Sequence, residues 1–339
     1  MKFEPLSYQR TQFRISRDVA VALDAENIVN FVDLCCGAGG LSLGFGYAGM
    51  TPTAAFDSWA VAVSVYNENV GQHAFTADLG RPQTLVPVIA RLMPDLIAGG
   101  PPCQDYSAAG NRREGARAYL TIAFAETVVA LKPRWFVFEN VLGASGSESY
   151  RTARTLFTRA GFGLTEIILD ASECGVPQRR KRFFCIGRLG ACHQFLVQDL
   201  QSGKSARPMT VRDYLSDELG LEHYYRHPRR YDRRAVFSID EPALTIRGTN
   251  RRPAPGYSRH LKDSASPGDV RALTFHERSR IQTFPSNWVW RGRTSEIEQM
   301  IGNAVPPLLA RYVGRRIMTY ERRHPGVAVA SAPVSALAA

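Results

Sequence analysis

The stretch Gly99-Gly100-Pro101-Pro102-Cys103-Gln104 carries the plainest chemical possibility in the chain. The apolar run before it, Pro94-Asp95-Leu96-Ile97-Ala98, reads as a short strand, and Gly-Gly-Pro-Pro ends it in a stiff turn where no helix can start. Cys103 is therefore presented on a loop at a strand end. A thiol reacts as its thiolate, which is a few per cent of the total at neutral pH for an unperturbed pKa of about 8.5. A turn that aims one thiol outward suits a nucleophile; a buried, inert cysteine is the other reading. Next comes Arg134-Trp135-Phe136-Val137-Phe138, a strand that closes on Glu139-Asn140-Val141. In a parallel sheet the carboxyl ends of neighbouring strands open on one crevice, so Glu139 would face the same space as Cys103; an ordinary surface acid is the alternative. Gln178, Arg180 and Arg182 alternate in Gln178-Arg179-Arg180-Lys181-Arg182, so an extended chain puts all three on one face. That pattern suits a charged ligand or phosphates, and a solvated charge run equally well.

A second kind of site opens the chain. The β-branched run Ile28–Leu34 reads as a strand, followed by Cys35-Cys36-Gly37-Ala38-Gly39-Gly40 and then a helix-like stretch from Leu41 to Gly49. Strand, glycine turn and helix make the first unit of a Rossmann-type fold, with free N–H groups at the helix start. The last glycine of the dinucleotide fingerprint is missing, which weakens a plain NAD site; the turn also suits the carboxylate of S-adenosylmethionine, or merely connects two elements. Asp57 ends a second strand (53–56) about 20 residues on, where a ribose diol is held or where a helix is capped. Asp78 ends a third (73–77), as an acceptor for an adenine amino group or as a solvated loop acid.

These residues need a scaffold, and the remaining pattern supplies one. Helices are expected over 61–69, 119–131, 149–160, 271–284 and 308–322, and strands over 164–169 and 183–187. The fold class is α/β: a doubly wound, mostly parallel sheet built from residues 1–187 and completed by 272–325. A smaller target-reading domain spans 188–271 and a disordered tail 326–339. Residues 1–26 read as a surface extension, and no internal repeat is evident. Asn111-Arg112-Arg113 lies in a polar loop long enough to act as a lid. Lys and Arg number 42 against 31 Asp and Glu, a net charge of +11, which favours a polyanionic partner. Within 188–271 the bases Arg226, Arg229, Arg230, Arg233, Arg234, Arg247, Arg251 and Arg252 mix with aromatic residues, as expected for nucleic acid, although a solvated loop would look similar. The six cysteines form no C-x-x-C pair, so neither a zinc site nor a disulfide framework is expected. No apolar run approaches the roughly 18 residues of a membrane helix. With no signal peptide at the start, the location expected is cytoplasmic.

Together these landmarks resemble the DNA cytosine-5 methyltransferases, especially the bacterial restriction–modification type. The resemblance runs from about Phe31 to Tyr312. It rests on Asp33–Gly40, Gly100–Gln104, Glu139-Asn140-Val141, Gln178-x-Arg180-x-Arg182, Arg271-x-Leu273, Glu277, Arg280, Phe284-Pro285 and Gly302-Asn303, in family order. Two positions depart: Cys35 stands where the family usually has a Phe near the cofactor, and Gly115 where it often has an acid.

The resemblance implies a Rossmann-like S-adenosylmethionine-dependent methyltransferase. The cofactor would be held by Asp33, Cys35, Gly37, Gly39, Gly40 and Leu41, by Asp57, Ser58, Asp78 and Leu79, and by Gly100, Pro102, Asn303 and Ala304. It also implies that the Cys103 thiolate adds to carbon 6 of cytosine, making carbon 5 nucleophilic. Glu139 would contact ring nitrogen 3, and Arg182 with Arg180 would stabilise the carbonyl and hold the carboxylate. Duplex DNA would be met by Gln104, Ser107, Arg112, Arg113, Gln178, Arg229, Arg230, Arg233, Thr245, Arg247 and Arg251, with the target base flipped out of the helix. A monomer is expected, paired in function with a cognate endonuclease. An RNA cytosine-5 methyltransferase, a silent DNA-binding relative and an NAD-dependent oxidoreductase are the competing classes.

Overall fold

In the computed structural model, residues 29–102, 119–228, 230–251, 254 and 256–324 are described. The N-terminal extension, the Asn111–Arg113 loop, Cys103 and the C-terminal tail lie outside them. Seven strands form the main sheet: β1 (Asn30–Leu34), β2 (Thr51–Asp57), β3 (Ala74–Thr76), β4 (Leu96–Gly99), β5 (Trp135–Asn140), β6 (Phe162–Asp170) and β8 (Lys181–Leu189). Their order is β3-β2-β1-β4-β5-β8-β6. β1 to β5 pair in parallel, and β8 runs antiparallel to both β5 and β6. This is the expected mostly parallel, doubly wound sheet, with one reversed strand that the hydrophobic pattern does not reveal.

The period of two in each strand builds a core on both faces. Phe31, Leu96, Ala98, Trp135 and Val137 point to the face covered by α1 (Gly40–Tyr47) and α10 (Pro307–Arg323). Val32, Leu34, Ile97, Phe136 and Phe138 point to the other, where α4 (Tyr119–Leu131) and α5 (Glu148–Arg159) contribute Phe124 and Phe157. At the far end of α10, the buried Glu321 accepts from Arg134 Nη1 at 2.7 Å and Trp135 Nε1 at 2.9 Å, which pins the last helix to β5.

Helix α2 (Ala60–Asn69) precedes β3, and α3 (Pro82–Ala90) follows it. The sequence reading missed α3 because Pro82 and Pro87 look like breakers. Pro82 instead occupies the first turn, where its missing N–H is of no consequence.

The segment 188–271 holds α6 (Val197–Ser202), α7 (Val211–Leu215), β9 (His223–Tyr225), β10 (Val236–Ser238) and β11 (Ala243–Leu244). β9 pairs with β10, and β11 with β7 (Gln178–Arg179). Its apolar residues Leu215, Tyr224, Phe237 and Ile246 join one core with Tyr66, Ile281, Phe284 and Met300, the last three from α8 (Phe275–Ile281), the turn after it and α9 (Thr294–Asn303). Among the described residues this segment thus packs its apolar side chains against α2, α8 and α9.

Helices α1 and α10 meet through Gly44, where a Cβ would lie 2.2 Å from the Pro307 carbonyl oxygen and 2.4 Å from Ala310 Cβ. Backbone cannot yield as a side-chain tip can. Gly44→Val is expected to destabilise by at least the ~1–3 kcal/mol of an overpacked core, read as a lower urea midpoint. Gly146→Ala, at a position with nothing within 4 Å, is the control that leaves the midpoint unchanged.

Candidate active site

The carboxyl ends of β1, β2 and β3 converge on a small cavity of about 50 Å³. Cys35, Asp57, Ser58, Asp78, Leu79 and Pro102 all line it, with Phe56, Leu85 and Leu120 as apolar walls. Sequence reasoning placed those six residues at a cofactor, and the fold brings them together. The turn that follows β1 carries Cys35, Gly37 and Gly39 at φ 62°, 52° and 91°, a left-handed path that glycine adopts freely and cysteine does not. Asp57 fixes this turn: its Oδ2 accepts from the Gly37 N–H at 2.8 Å, and its Oδ1 from the Trp59 N–H at 2.8 Å. Burial raises the Asp57 pKa in spite of these bonds. Burial, followed by the charges of Asp57, Asp33 and Asp78, pushes the Cys35 thiol well up, so it is a neutral wall of the cavity. Asp78 is exposed and accepts from the Gly80 N–H at 2.9 Å.

The other residues expected at the cofactor do not line this cavity. Leu41 lies in the core with Phe31 and Phe45. A Cβ on Gly40 would strike the Val305 carbonyl oxygen at 2.3 Å, and one on Gly39 would meet Val70 Cγ2 at 2.7 Å and Tyr66 Cδ2 at 3.0 Å. These two glycines are demanded by packing within the protein. Asp33 is fully buried; its Oδ2 accepts from Ser42 Oγ at 2.6 Å, and its Oδ1 has no partner among the described residues. Burial drives its pKa up to about 7, with the Ser42 hydrogen bond opposing.

Beside the cavity, β4 and β5 deliver the second group. Glu139, near the end of β5, is buried, and its Oε1 lies 3.1 Å from Arg182 Nε. Burial raises the Glu139 pKa, while Arg182 and then Arg180 pull it back. The carboxylate rests against the turn that leads to Cys103: a Cβ on Gly100 would lie 2.9 Å from Oε2. The next residue, Asn140, donates from Nδ2 to the Pro101 carbonyl at 3.1 Å. Strand β5 thus grips the backbone two residues before Cys103.

Gln178 and Arg180 depart from expectation. Both are fully buried. Arg180 donates from Nη1 to the Ile246 carbonyl at 3.0 Å, and from Nη2 to those of Gly302 and Ala304 at 2.8 and 2.9 Å. Gln178 donates to Gln282 Oε1 at 2.7 Å and accepts from the Ile246 N–H at 2.8 Å. The alternation read from the sequence is present, with Arg179 and Lys181 exposed. The inward face, however, meets protein carbonyls, so the expectation that Gln178 contacts DNA is corrected: its amide is consumed inside the fold. Gln282, which completes this knot by donating to the Ile301 carbonyl, went unnoticed in the sequence because polar residues on a short helix give no sign of burial. The buried pair Arg278–Glu298 escaped for the same reason. Asn303 is exposed and accepts from Gln299 Nε2 at 2.8 Å; neither it nor Ala304 lines the cavity.

Of the residues expected at DNA, Gln104, Ser107, Arg112, Arg113 and Arg229 lie outside the described residues. Arg230 is exposed and paired with Asp232 at 2.7 Å, and Arg233 is exposed. Thr245 Oγ1 donates to the Arg179 carbonyl at 2.8 Å, and Arg247 Nη2 to that of His227 at 2.8 Å. Arg247 and Arg251, with Arg226, His227 and Asn250, line a second cavity of about 230 Å³ over Tyr224 and Tyr225. Among the described residues no helix is long and apolar enough to cross a membrane.

Comparison with known proteins agrees with this geometry. Residues 29–319 match the family of C-5 cytosine-specific DNA methylases. The chain is 48% identical over 294 residues to the type II methyltransferase M.HindV of Haemophilus influenzae, covering 86% of this chain and 97% of that one. It is 45% identical over 290 residues to M.HgiDI of Herpetosiphon aurantiacus, covering 85% and 94%. The fold is similar to that of the solved S. pombe Dnmt2 methyltransferase, with a TM-score of 0.67 at 18% identity over 87% of this chain and 99% of that one. The parallel sheet, the cavity at its carboxyl edge and the buried Glu139–Arg182 pair are thus those of a chain that belongs to the C-5 cytosine-specific DNA methylases, a DNA (cytosine-5-)-methyltransferase.

Proposed function

We propose that this enzyme methylates carbon 5 of a flipped-out cytosine in a specific duplex sequence, as the modifying half of a restriction–modification pair, through a covalent adduct on Cys103. The observation that carries the reading is Glu139: a buried carboxylate, paired with Arg182, pressed against Gly100 of the turn that leads to Cys103. Aromatic cytosine is a poor carbon nucleophile. Addition of the Cys103 thiolate at carbon 6 turns carbon 5 into an enamine carbon, provided that ring nitrogen 3 takes a proton. Glu139 is suited to supply it, because burial favours its protonated form. Arg182 orients the carboxyl and places positive charge where the base carbonyl gains electron density. After transfer, ring nitrogen 3 returns its proton to Glu139, and loss of the carbon 5 proton to solvent re-forms the carbon 5–carbon 6 double bond and expels the thiolate.

S-adenosylmethionine, when bound, supplies an electrophilic methyl on a sulfonium centre. The chain fits it: the cavity joins apolar walls to Asp57 and Asp78, and the buried Asp33 Oδ1 is an acceptor suited to a cationic group such as an α-ammonium. Arg180 acts as a positioning residue, since its guanidinium ties β8 to the carbonyls of Gly302 and Ala304. The segment 188–271 is the part suited to reading the target, with Arg230, Arg233, Arg247 and Arg251 towards DNA. A soluble, cytosolic monomer accords with this role.

Bisulfite sequencing of DNA from cells expressing the enzyme is expected to show one methylated cytosine in one short sequence context. Methylation scattered without context would overturn sequence specificity. Cys103→Ser is expected to bind DNA and cofactor normally and to leave every cytosine unmodified; normal methylation by that variant would remove the covalent step. Glu139→Gln keeps the shape but not the proton, and is expected to lower kcat by about 10²- to 10⁴-fold, measured by tritiated methyl transfer.

Asp33 yields a pH-dependent expectation. Its folded pKa, near 7, lies above the unfolded value of 3.8. The folded state therefore holds the proton more tightly, and stability is lost as pH rises between those values. Asp33→Asn removes the penalty: the thermal midpoint of the cofactor-free enzyme should rise more at about pH 8 than at about pH 5, while cofactor affinity falls. An equal rise at both pH values would contradict the burial of that charge.

A further inference from the structure

We infer that Glu298 and Arg278 are positioning residues that set how sharply the enzyme discriminates its target sequence, acting through the loop 247–250. The inference rests on reading the segment 188–271 as the part that meets the target. Arg278, in the last turn of α8, and Glu298, on α9, form an ion pair in which both side chains are buried. A pair taken out of water gains little over apolar residues of similar size, so stability is a poor reason for its presence. The other polar atoms of the pair have a common destination. Arg278 Nη2 donates to the Arg247 carbonyl. Glu298 Oε1 accepts from Asn250 Nδ2 at 3.1 Å, and the same Nδ2 donates to the Leu273 carbonyl at 2.7 Å.

These ties bracket Gly248 and Thr249. A carbonyl and a carboxylate paired with a guanidinium can only accept, so the Asn250 amide must turn its Nδ2 inward and its Oδ1 away from them. Arg247, held at its carbonyl by Arg278, donates from Nη2 to the His227 carbonyl at 2.8 Å, and the exposed Arg251 follows Asn250 directly. Arg247, Asn250 and Arg251 all line the cavity of about 230 Å³. The loop lies hard against α9, since a Cβ on Gly302 would collide with the Gly248 nitrogen. Its start is fastened separately, by Gln178 and Arg180 on the backbone of Ile246. The buried pair thus governs the part beyond Ile246, which carries Arg247 and Arg251. Reading base edges needs donors and acceptors held within about 0.5 Å. Phosphate contacts carry no sequence information, so a loosened loop that still reaches phosphates loses discrimination first.

The test uses the full-length enzyme and steady-state methylation of two duplexes. One carries the sequence identified by bisulfite sequencing, and the other has a single base pair of it changed. Asn250→Ala, at an exposed residue, removes the tie to Glu298 and leaves the buried pair intact. Arg278→Met with Glu298→Leu removes both charges together, which keeps the interior filled and the thermal midpoint close to that of the wild type. Each is expected to lower the ratio of kcat/KM between the two duplexes about tenfold. In the double variant, kcat at saturating cognate duplex and Kd for S-adenosylmethionine stay unchanged. Asn250→Ala added to the double variant is expected to alter the ratio less than about twofold, because the tie is already gone. The inference is overturned if Asn250→Ala or the stable double variant discriminates like the wild type, if the two effects add in full, or if the loss falls on kcat. Asn250→Ala alone decides should the double variant not fold. If Arg247→Ala and Arg251→Ala together leave discrimination untouched, the assignment of 188–271 to target reading falls first, and this inference with it.

Discussion

A carboxylate kept out of water needs a cation beside it, and in this enzyme Arg182 is that cation for Glu139. Removing one partner of a buried pair strands the other, at a cost of about 3–5 kcal/mol. The architecture around the pair follows from this need. Glu139 lies near the carboxyl end of β5, so Arg182 must arrive at that same end. A parallel neighbour would begin at the opposite edge of the sheet. β8 runs antiparallel, with Asn140 beside Phe183, so its first residues start where β5 finishes. The single reversed strand is thus what delivers the arginine. Arg180, two residues earlier and on the same inward face, fastens that end of β8 to the last turn of α9 and its C-cap through the Gly302 and Ala304 carbonyls.

The glycines near the site answer a second constraint, and it is mostly internal to the protein. Gly40 makes room for the Val305 carbonyl, Gly39 for Tyr66 and Val70, and Gly100 for the Glu139 carboxylate. Only Gly37 of these has nothing near its missing side chain. The turn is shaped from beneath, by packing and by Asp57, so that what faces the crevice is a rigid rim of backbone. Cys103 follows a turn braced in the same way, with Gly100 under the carboxylate and Pro101 held by Asn140.

Much of this was legible in the chain. Short apolar runs marked all seven strands of the main sheet, and the acids at strand ends pointed to one crevice, where Asp57 and Asp78 do line a common cavity. What was not legible has physical causes. Strand direction leaves no trace in periodicity, so the reversal of β8 was invisible. Pro87 hid α3, because local propensity gives way when the helix can bury Leu85 and Ile89. Gln178 and Arg180 read as ligands because long polar side chains are usually exposed; their partners are carbonyls and an amide more than 60 residues away, which only the fold brings near. Leu215, Tyr224 and Phe237 of the segment 188–271 share an apolar cluster with Tyr66, Ile281 and Met300, contacts between residues far apart in the chain that composition does not announce.

The account stands most directly on a bond between Cys103 sulfur and carbon 6 of the base. A duplex carrying 5-fluorocytosine at the target position, incubated with enzyme and S-adenosylmethionine, cannot lose a proton from carbon 5 and so should arrest after methyl transfer. The prediction is a complex that survives denaturing electrophoresis and whose mass equals enzyme plus methylated DNA. If the enzyme methylates ordinary cytosine in the same sequence yet forms no such complex with the fluorinated duplex, the covalent mechanism is contradicted.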